Sequence, residues 1–213
     1  MRDGHGREID YLRISVTDRC NLRCRYCMPE GIANIPMEEI LSFEEIALVA
    51  KTAAELGISK IKITGGEPLV RRGISRLVGM LKGIDGIDQV TLTTNGLLLE
   101  EMSEELVTAG IDGINISLDT LDPERYRLIT GFDRLDTVLK GIDAVLKYDI
   151  PVKINAVSVD WEKHLGISRT DEDTDIPADI QKLMDLAEDK KLDVRFIELM
   201  PIGLGKKLSR YSA

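Results

Sequence analysis

Cys20, Cys24 and Cys27 are the only cysteines in this 213-residue chain, and they follow one another with the spacing C-x3-C-x2-C. An odd number of cysteines packed so closely makes a poor disulfide framework. It suits a soft metal or an iron–sulfur cluster. The stretch that carries them, Asp18-Arg19-Cys20-Asn21-Leu22-Arg23-Cys24-Arg25-Tyr26-Cys27, is polar and basic. Neighbouring positive charge favours thiolate over thiol, so depressed cysteine pKa values are expected. The plain alternative is that these are small buried hydrophobes. A structural zinc site wants four protein ligands, usually as two spaced pairs. No fourth cysteine exists here, and the two histidines, His5 and His164, lie outside the cluster. A three-ligand zinc site with bound water is the remaining metal alternative. Three thiolates on a cubane cluster leave one iron open to a substrate or a second cofactor.

Other motifs put polar groups where strands end. Thr64-Gly65-Gly66-Glu67-Pro68 joins two glycines, which allow close backbone approach or positive φ, to a stiffening proline. Thr91-Leu92-Thr93-Thr94-Asn95-Gly96 closes one β-rich run, although Asn-Gly alone suits an ordinary turn. In Gly113-Ile114-Asn115-Ile116-Ser117-Leu118-Asp119, alternation sets Asn115, Ser117 and Asp119 on one face. Lys153 and Asn155 stand two apart on a later run. A lysine at mid-strand in a buried sheet needs a partner, and an anionic ligand or an internal carboxylate would serve equally. Met200 sets a flexible thioether after the last run, a residue type that usually packs in cores.

The elements that must position these residues alternate. β-rich segments fall at 11–16, 60–64, 89–94, 113–118, 151–157 and 193–199, and helical patterns at 43–56, 72–83, 103–109, 135–147 and 178–188. Such alternation predicts right-handed βαβ units around a parallel sheet. Six units fit an open barrel better than a closed eightfold one. Ser42 with Glu45 reads as a capping box, and Gly57 and Gly110 as helix stops. Segment 158–177, with the acidic run 171–175, reads as a solvated loop or insertion. Lys plus Arg is 28 against 37 Asp plus Glu, a formal charge of −9. That balance argues against nucleic acid or an anionic membrane as main partner. No apolar run approaches the roughly 20 residues of a membrane span, and the N-terminus lacks a signal-peptide core. A cytoplasmic protein is expected.

C-x3-C-x2-C with Tyr26 before the last cysteine resembles the signature of the radical S-adenosylmethionine (SAM) superfamily. The resemblance implies an α/β fold, a partial (β/α)6 TIM-like barrel. It implies a 4Fe–4S cluster on Cys20, Cys24 and Cys27, whose open iron binds SAM and cleaves it to a 5′-deoxyadenosyl radical. GGEP resembles the motif that meets the amino group of SAM, a role carried to Gly66 and more loosely to Glu67. Residues 12–29, 62–72, 93–98, 117–119 and 195–205 are similar to the GTP 3′,8-cyclase family, lyases that begin molybdenum cofactor biosynthesis. In that family the radical takes the 3′ hydrogen of GTP and the sugar closes on C8 of guanine, giving 3′,8-cyclo-7,8-dihydro-GTP. The likeness implies SAM contacts at Tyr26, Gly66, Ser117 and Met200. It implies GTP contacts at Arg13, Lys62, Thr93 and Lys153, with Lys62 at a position usually held by arginine. An electron donor such as flavodoxin or ferredoxin follows as a partner. The family also carries a second cluster on three further cysteines near its C-terminus. Residues 1–213 lack them. The expectation is therefore a core domain over 1–213 without that region, with incomplete cyclisation, and either a homodimer or a separate C-terminal subunit. A radical SAM enzyme for a peptide or another small molecule, and a silent metal-binding fragment, are the competing readings.

Overall fold

The computed structural model describes residues 2–31, 35–165 and 177–200, less the side chains of residues 37, 162 and 163. Strands β1 (Tyr11–Ser15), β2 (Lys60–Thr64), β3 (Gln89–Thr94), β4 (Gly113–Ser117), β5 (Val152–Ser158) and β6 (Asp193–Glu198) form one sheet in chain order. Every neighbouring pair is parallel. Helices α1 (Phe43–Glu55), α2 (Ile74–Lys82), α3 (Leu99–Thr108), α4 (Pro123–Thr130), α5 (Leu135–Val145), α6 (Trp161–Leu165) and α7 (Ala178–Asp189) fall between them. Parallel neighbours need crossovers, and the helices supply them. The result is the six-stranded α/β partial barrel expected, with β1 and β6 at the sheet's two edges.

The register explains why the strands tolerate both isoleucine and lysine. Ile61, Ile63, Val90, Leu92, Ile114, Ile116 and Ile154 are buried on one face, in the core that also takes in Leu77, Leu81 and Val138. Alternate positions fall on the other face. Arg13 pairs with Lys62 and Lys62 with Thr91. Thr93 pairs with Asn115, Asn115 with Lys153 and Lys153 with Asp193. Ser117, Asn155 and Arg195 share the next row. One face of the sheet therefore holds the fold and the other faces the barrel interior.

Local chemistry sets the helix ends. Ser42 Oγ accepts from Glu45 N (3.2 Å) while Glu45 Oε2 accepts from Ser42 N (2.7 Å), which completes the capping box. Gly57 (φ 94°) and Gly110 (φ 90°) follow α1 and α3 in the left-handed region. The first helical pattern past Gly96 starts at Leu99, ahead of the expected 103, because Leu99 is itself a core residue. Helix α4 was not legible in the hydrophobic pattern. Its signals are polar: Asp122 Oδ1 accepts from Arg125 N at 2.8 Å, Pro123 opens the helix and Gly131 closes it. Arg125 and Asp179 then form a buried ion pair at 2.7 Å between α4 and α7, and Asp179 also accepts from Thr120.

Segment 158–177 opens differently from a solvated loop. Its first residue ends β5, and Trp161 in α6 is buried at 3% exposure with Ile129, Val159 and Leu199. The acidic run 171–175 lies outside the described residues, as does everything after Met200. Among the described residues no helix is long and apolar enough to cross a membrane.

Candidate active site

The cysteine loop leaves the C-terminal end of β1 and is pinned on three sides. Arg23 N and Arg25 N donate to the carbonyls of Thr130 and Ile129, each at 2.9 Å, so the end of α4 forms its floor. Gly66 N and Glu67 N donate to Thr17 O and Arg19 O, each at 2.7 Å, so the Gly-Gly turn after β2 forms one wall. A Cβ on Gly66 would meet Arg19 O at 2.3 Å, and one on Gly65 would meet Thr17 O at 2.7 Å. Neither glycine has positive φ. The pair is needed for close approach to the loop. Asn95 Nδ2, past β3, donates to Asn21 Oδ1 at 2.7 Å. Within the loop, Cys27 N and Met28 N both donate to Cys24 O.

Glu67 is a clamp. Its carboxylate accepts from Leu69 N (3.0 Å), Thr94 Oγ1 (2.7 Å) and Asn95 N (2.6 Å), which ties the turn to the end of β3. Those bonds make Glu67 a support of the site, and it also lines the cavity. Burial raises its pKa against the pull of these donors. Asp119 plays the same part past β4. It accepts from Tyr26 Oη (2.8 Å) and Val157 N (2.7 Å), and burial pushes its pKa up to about 6. Tyr26 is thereby held between the cysteine loop, β4 and β5, with its ring 5.8 Å from that of Trp161.

The loop, the Gly-Gly turn and the strand ends enclose a cavity of about 230 Å³. Cys20, Cys24 and Cys27 line it, with Tyr26, Gly66, Thr93 and Ser117. The expected lowering of the thiol pKa values is overturned. Burial pushes Cys24 up to about 12, helped by the Asp119 carboxylate and the other two cysteines. Cys20 and Cys27 also rise, burial again leading. Arg23 lowers Cys20, but less than burial raises it. Arg23 instead gives its guanidinium to the carbonyls of Cys20 and Leu22, both at 2.8 Å. Neutral thiols must release protons when a metal takes them.

Do these residues fit a cluster? Among the described residues no three Cys, His, Asp or Glu side chains converge as a single ion needs. Cubane ligands bind different irons, so they need only border a common space, as the three cysteines do. The thiols fit a cluster that they would hold by three irons, and Tyr26, Gly66 and Ser117 line the same cavity.

Further down the strands, the interior turns basic. The field at Lys62 is positive: burial lowers its pKa first, then Arg13, Arg195 and Lys153 lower it further. Four cations from β1, β2, β5 and β6 thus share one space. Arg195 was not singled out in the sequence, although it sits beside Asn155 on the inward row. Lys153 has an internal partner, Asp193, at 2.7 Å. Met200 is 68% exposed after β6 and is not among the residues that line the cysteine cavity.

Comparison with known proteins agrees with this geometry. The GTP 3',8-cyclase of Peptoclostridium acidaminophilum is 50% identical over 210 residues, covering 98% of this chain and 61% of that protein. The GTP 3',8-cyclase of Clostridium botulinum is 46% identical over 210 residues, covering 98% and 62%. The chain spans about three fifths of the length of these relatives. Streptococcus suis SuiB bound to its precursor peptide SuiA superposes with a TM-score of 0.72 at 21% identity, over 93% of this chain and 41% of that one. The anSMEcpe structure with bound AdoMet gives 0.66 at 20% identity, over 88% and 51%. The Radical SAM superfamily profile matches residues 14–162, which hold the cysteine loop, the Gly-Gly turn and strands β2 to β5; this chain belongs to the radical SAM superfamily.

Proposed function

We propose that this chain is the catalytic core of a GTP 3′,8-cyclase, the lyase that opens molybdenum cofactor biosynthesis. The observation that carries the reading is the pairing of two sites in one barrel: a three-cysteine cavity at the strand ends and, below it, the cations Arg13, Lys62, Lys153 and Arg195. A cluster with an open corner and its SAM supply, when bound, a 5′-deoxyadenosyl radical. The chain's residues do the rest. Cys20, Cys24 and Cys27 hold the cluster as thiolates. Tyr26, Gly66 and Ser117 border the space for SAM, and Asp119 keeps Tyr26 in place. Arg13, Lys62, Lys153 and Arg195 bind the triphosphate, a polyanion that relieves their mutual repulsion. Thr93 lies between the two groups and orients the ribose edge. Met200 is assigned to SAM on resemblance alone. The relatives' further length is where a guanine-holding second cluster belongs in this reading, with flavodoxin or ferredoxin as electron source.

Calorimetry and product analysis test this. Anaerobically reconstituted protein should bind GTP more tightly than GMP, since the basic row reads charge, and should form 5′-deoxyadenosine from SAM under reduction. Equal affinity for GTP and GMP would remove the triphosphate site.

A further inference from the structure

Helix α4 does more than floor the cysteine loop. Tyr126, Ile129 and Thr130 stand three and four residues apart, so they share one face of the helix, and all three are buried. Tyr126 is the residue out of place there. Its ring belongs to the main core, yet its hydroxyl is buried with no hydrogen-bond partner among the described residues. The Thr130 hydroxyl one turn on is spent on backbone, donating to Tyr126 O at 2.8 Å and accepting from Phe132 N at 3.3 Å. A buried hydroxyl without a partner is costly, and phenylalanine would fill the same space without that cost. Tyr126 borders a small second cavity of about 30 Å³, which Cys24, Ser117, Asp119 and Thr120 also line. Of the three cysteines only Cys24 lines it, and Cys24 lines the cluster cavity as well. The two Asp119 oxygens already accept from Tyr26 Oη and Val157 N. Cys20 Sγ has a donor in Leu22 N at 3.4 Å, whereas Cys24 Sγ has none among the described residues. Burial holds the Tyr126 phenol well above its usual range, and among charged groups Cys24 adds to this ahead of Asp119 and Cys20. The phenol is therefore a donor at any working pH, and it lies in the field of the one cysteine that lacks a donor.

We propose that the small cavity is an internal water site, and that its water carries the hydrogen bond of the Tyr126 hydroxyl to the Cys24 sulfur of a bound cluster. A buried water needs roughly 10–15 Å³ and about two to four polar partners, and this cavity offers both. The phenol donates to the water and the water donates to the sulfur. A hydrogen bond to a ligand sulfur stabilises the more negative, reduced cluster, so Tyr126 is a positioning residue that raises the reduction potential. The proposal rests on the cluster site and is independent of GTP as substrate.

The test is a redox titration of anaerobically reconstituted, SAM-bound protein, followed by electron paramagnetic resonance. Wild type is compared with Y126F, which keeps the ring, and with Y148F as a control outside the site. At the wild-type midpoint potential the ratio of reduced to oxidised cluster in Y126F should fall at least threefold, a shift of about 28 mV at 59 mV per decade for one electron. Y148F should match wild type, and iron content should be the same in all three. Pulsed electron–nuclear double resonance of the reduced protein in D2O should show exchangeable deuterons coupled to the cluster that weaken or vanish in Y126F. A smaller change in the ratio, or deuteron couplings equal to wild type, would overturn the proposal and leave the cluster reading intact. Loss of iron uptake by Y126F alone would make the tyrosine a structural prop and overturn it as well. A wild type that takes up no iron would overturn both.

Discussion

Lys153 shows how a single residue mixes two roles. Its position in a parallel sheet demands an anion, and the sequence alone left open an external ligand or an internal carboxylate. The fold supplies the carboxylate, Asp193, from a strand forty residues later. Only the register of β5 against β6 could reveal that pair, so composition and spacing missed it. Asp193 is well exposed and keeps its carboxyl below the usual range through Lys153. The triphosphate in our reading must therefore compete with Asp193. Lys153→Ala should weaken GTP binding about ten- to a hundredfold, the loss of one charge-assisted contact of about 1.5–3 kcal/mol. Asp193→Asn should do the reverse and tighten GTP binding severalfold. Calorimetry on both variants checks the pair, and GTP binding unchanged in both would remove Lys153 from the substrate site. The cysteines were legible for the opposite reason: ligand spacing is local. Their pKa values were not, because burial by distant elements outweighs the arginines next door.

At the scale of elements, the βα alternation was plain and five of the six strands, β1, β2, β3, β4 and β6, begin where the hydrophobic pattern puts them. Helix α4 was hidden because its eight residues, PERYRLIT, offer little apolar periodicity. Yet its C-terminal carbonyls hold the cysteine loop, so the least legible helix is among those closest to the chemistry. The Gly-Gly turn is the converse: visible as a motif, with its reason supplied only by the fold. Gly66→Ala would drive a methyl into the backbone at Arg19, where neither partner is a flexible side chain. Overpacking of this kind costs about 1–3 kcal/mol. Thermal unfolding should show that loss, and reconstitution of Gly66→Ala should retain less iron than wild type because Cys20 is displaced with Arg19. Iron content and stability equal to wild type would mean the turn can move without cost.

Across the whole molecule, one face of the sheet carries stability and the other carries the site. The core of Ile61, Ile63, Leu92, Ile114 and Ile154 needs nothing from the barrel interior. That division lets the interior hold four cations in a protein that is acidic overall. Arg125 and Asp179 join α4 to α7 across a buried ion pair, which also fixes the helix that supports the cysteine loop. Breaking a buried pair from one side is costly. Asp179→Ala should destabilise the protein by about 3 kcal/mol in denaturant unfolding, and a loss under about 1 kcal/mol would show that α7 docks without it.

The central claim is that Cys20, Cys24 and Cys27 hold a cluster with one corner left for SAM. Its most direct measurement is electron paramagnetic resonance of the anaerobically reconstituted, reduced protein, with metal analysis of the same sample. The account predicts about four irons per chain, a reduced-cluster signal that shifts when SAM is added, and loss of both on changing any one of the three cysteines to alanine. Stoichiometric zinc without iron uptake, or a cluster signal indifferent to SAM, would contradict it.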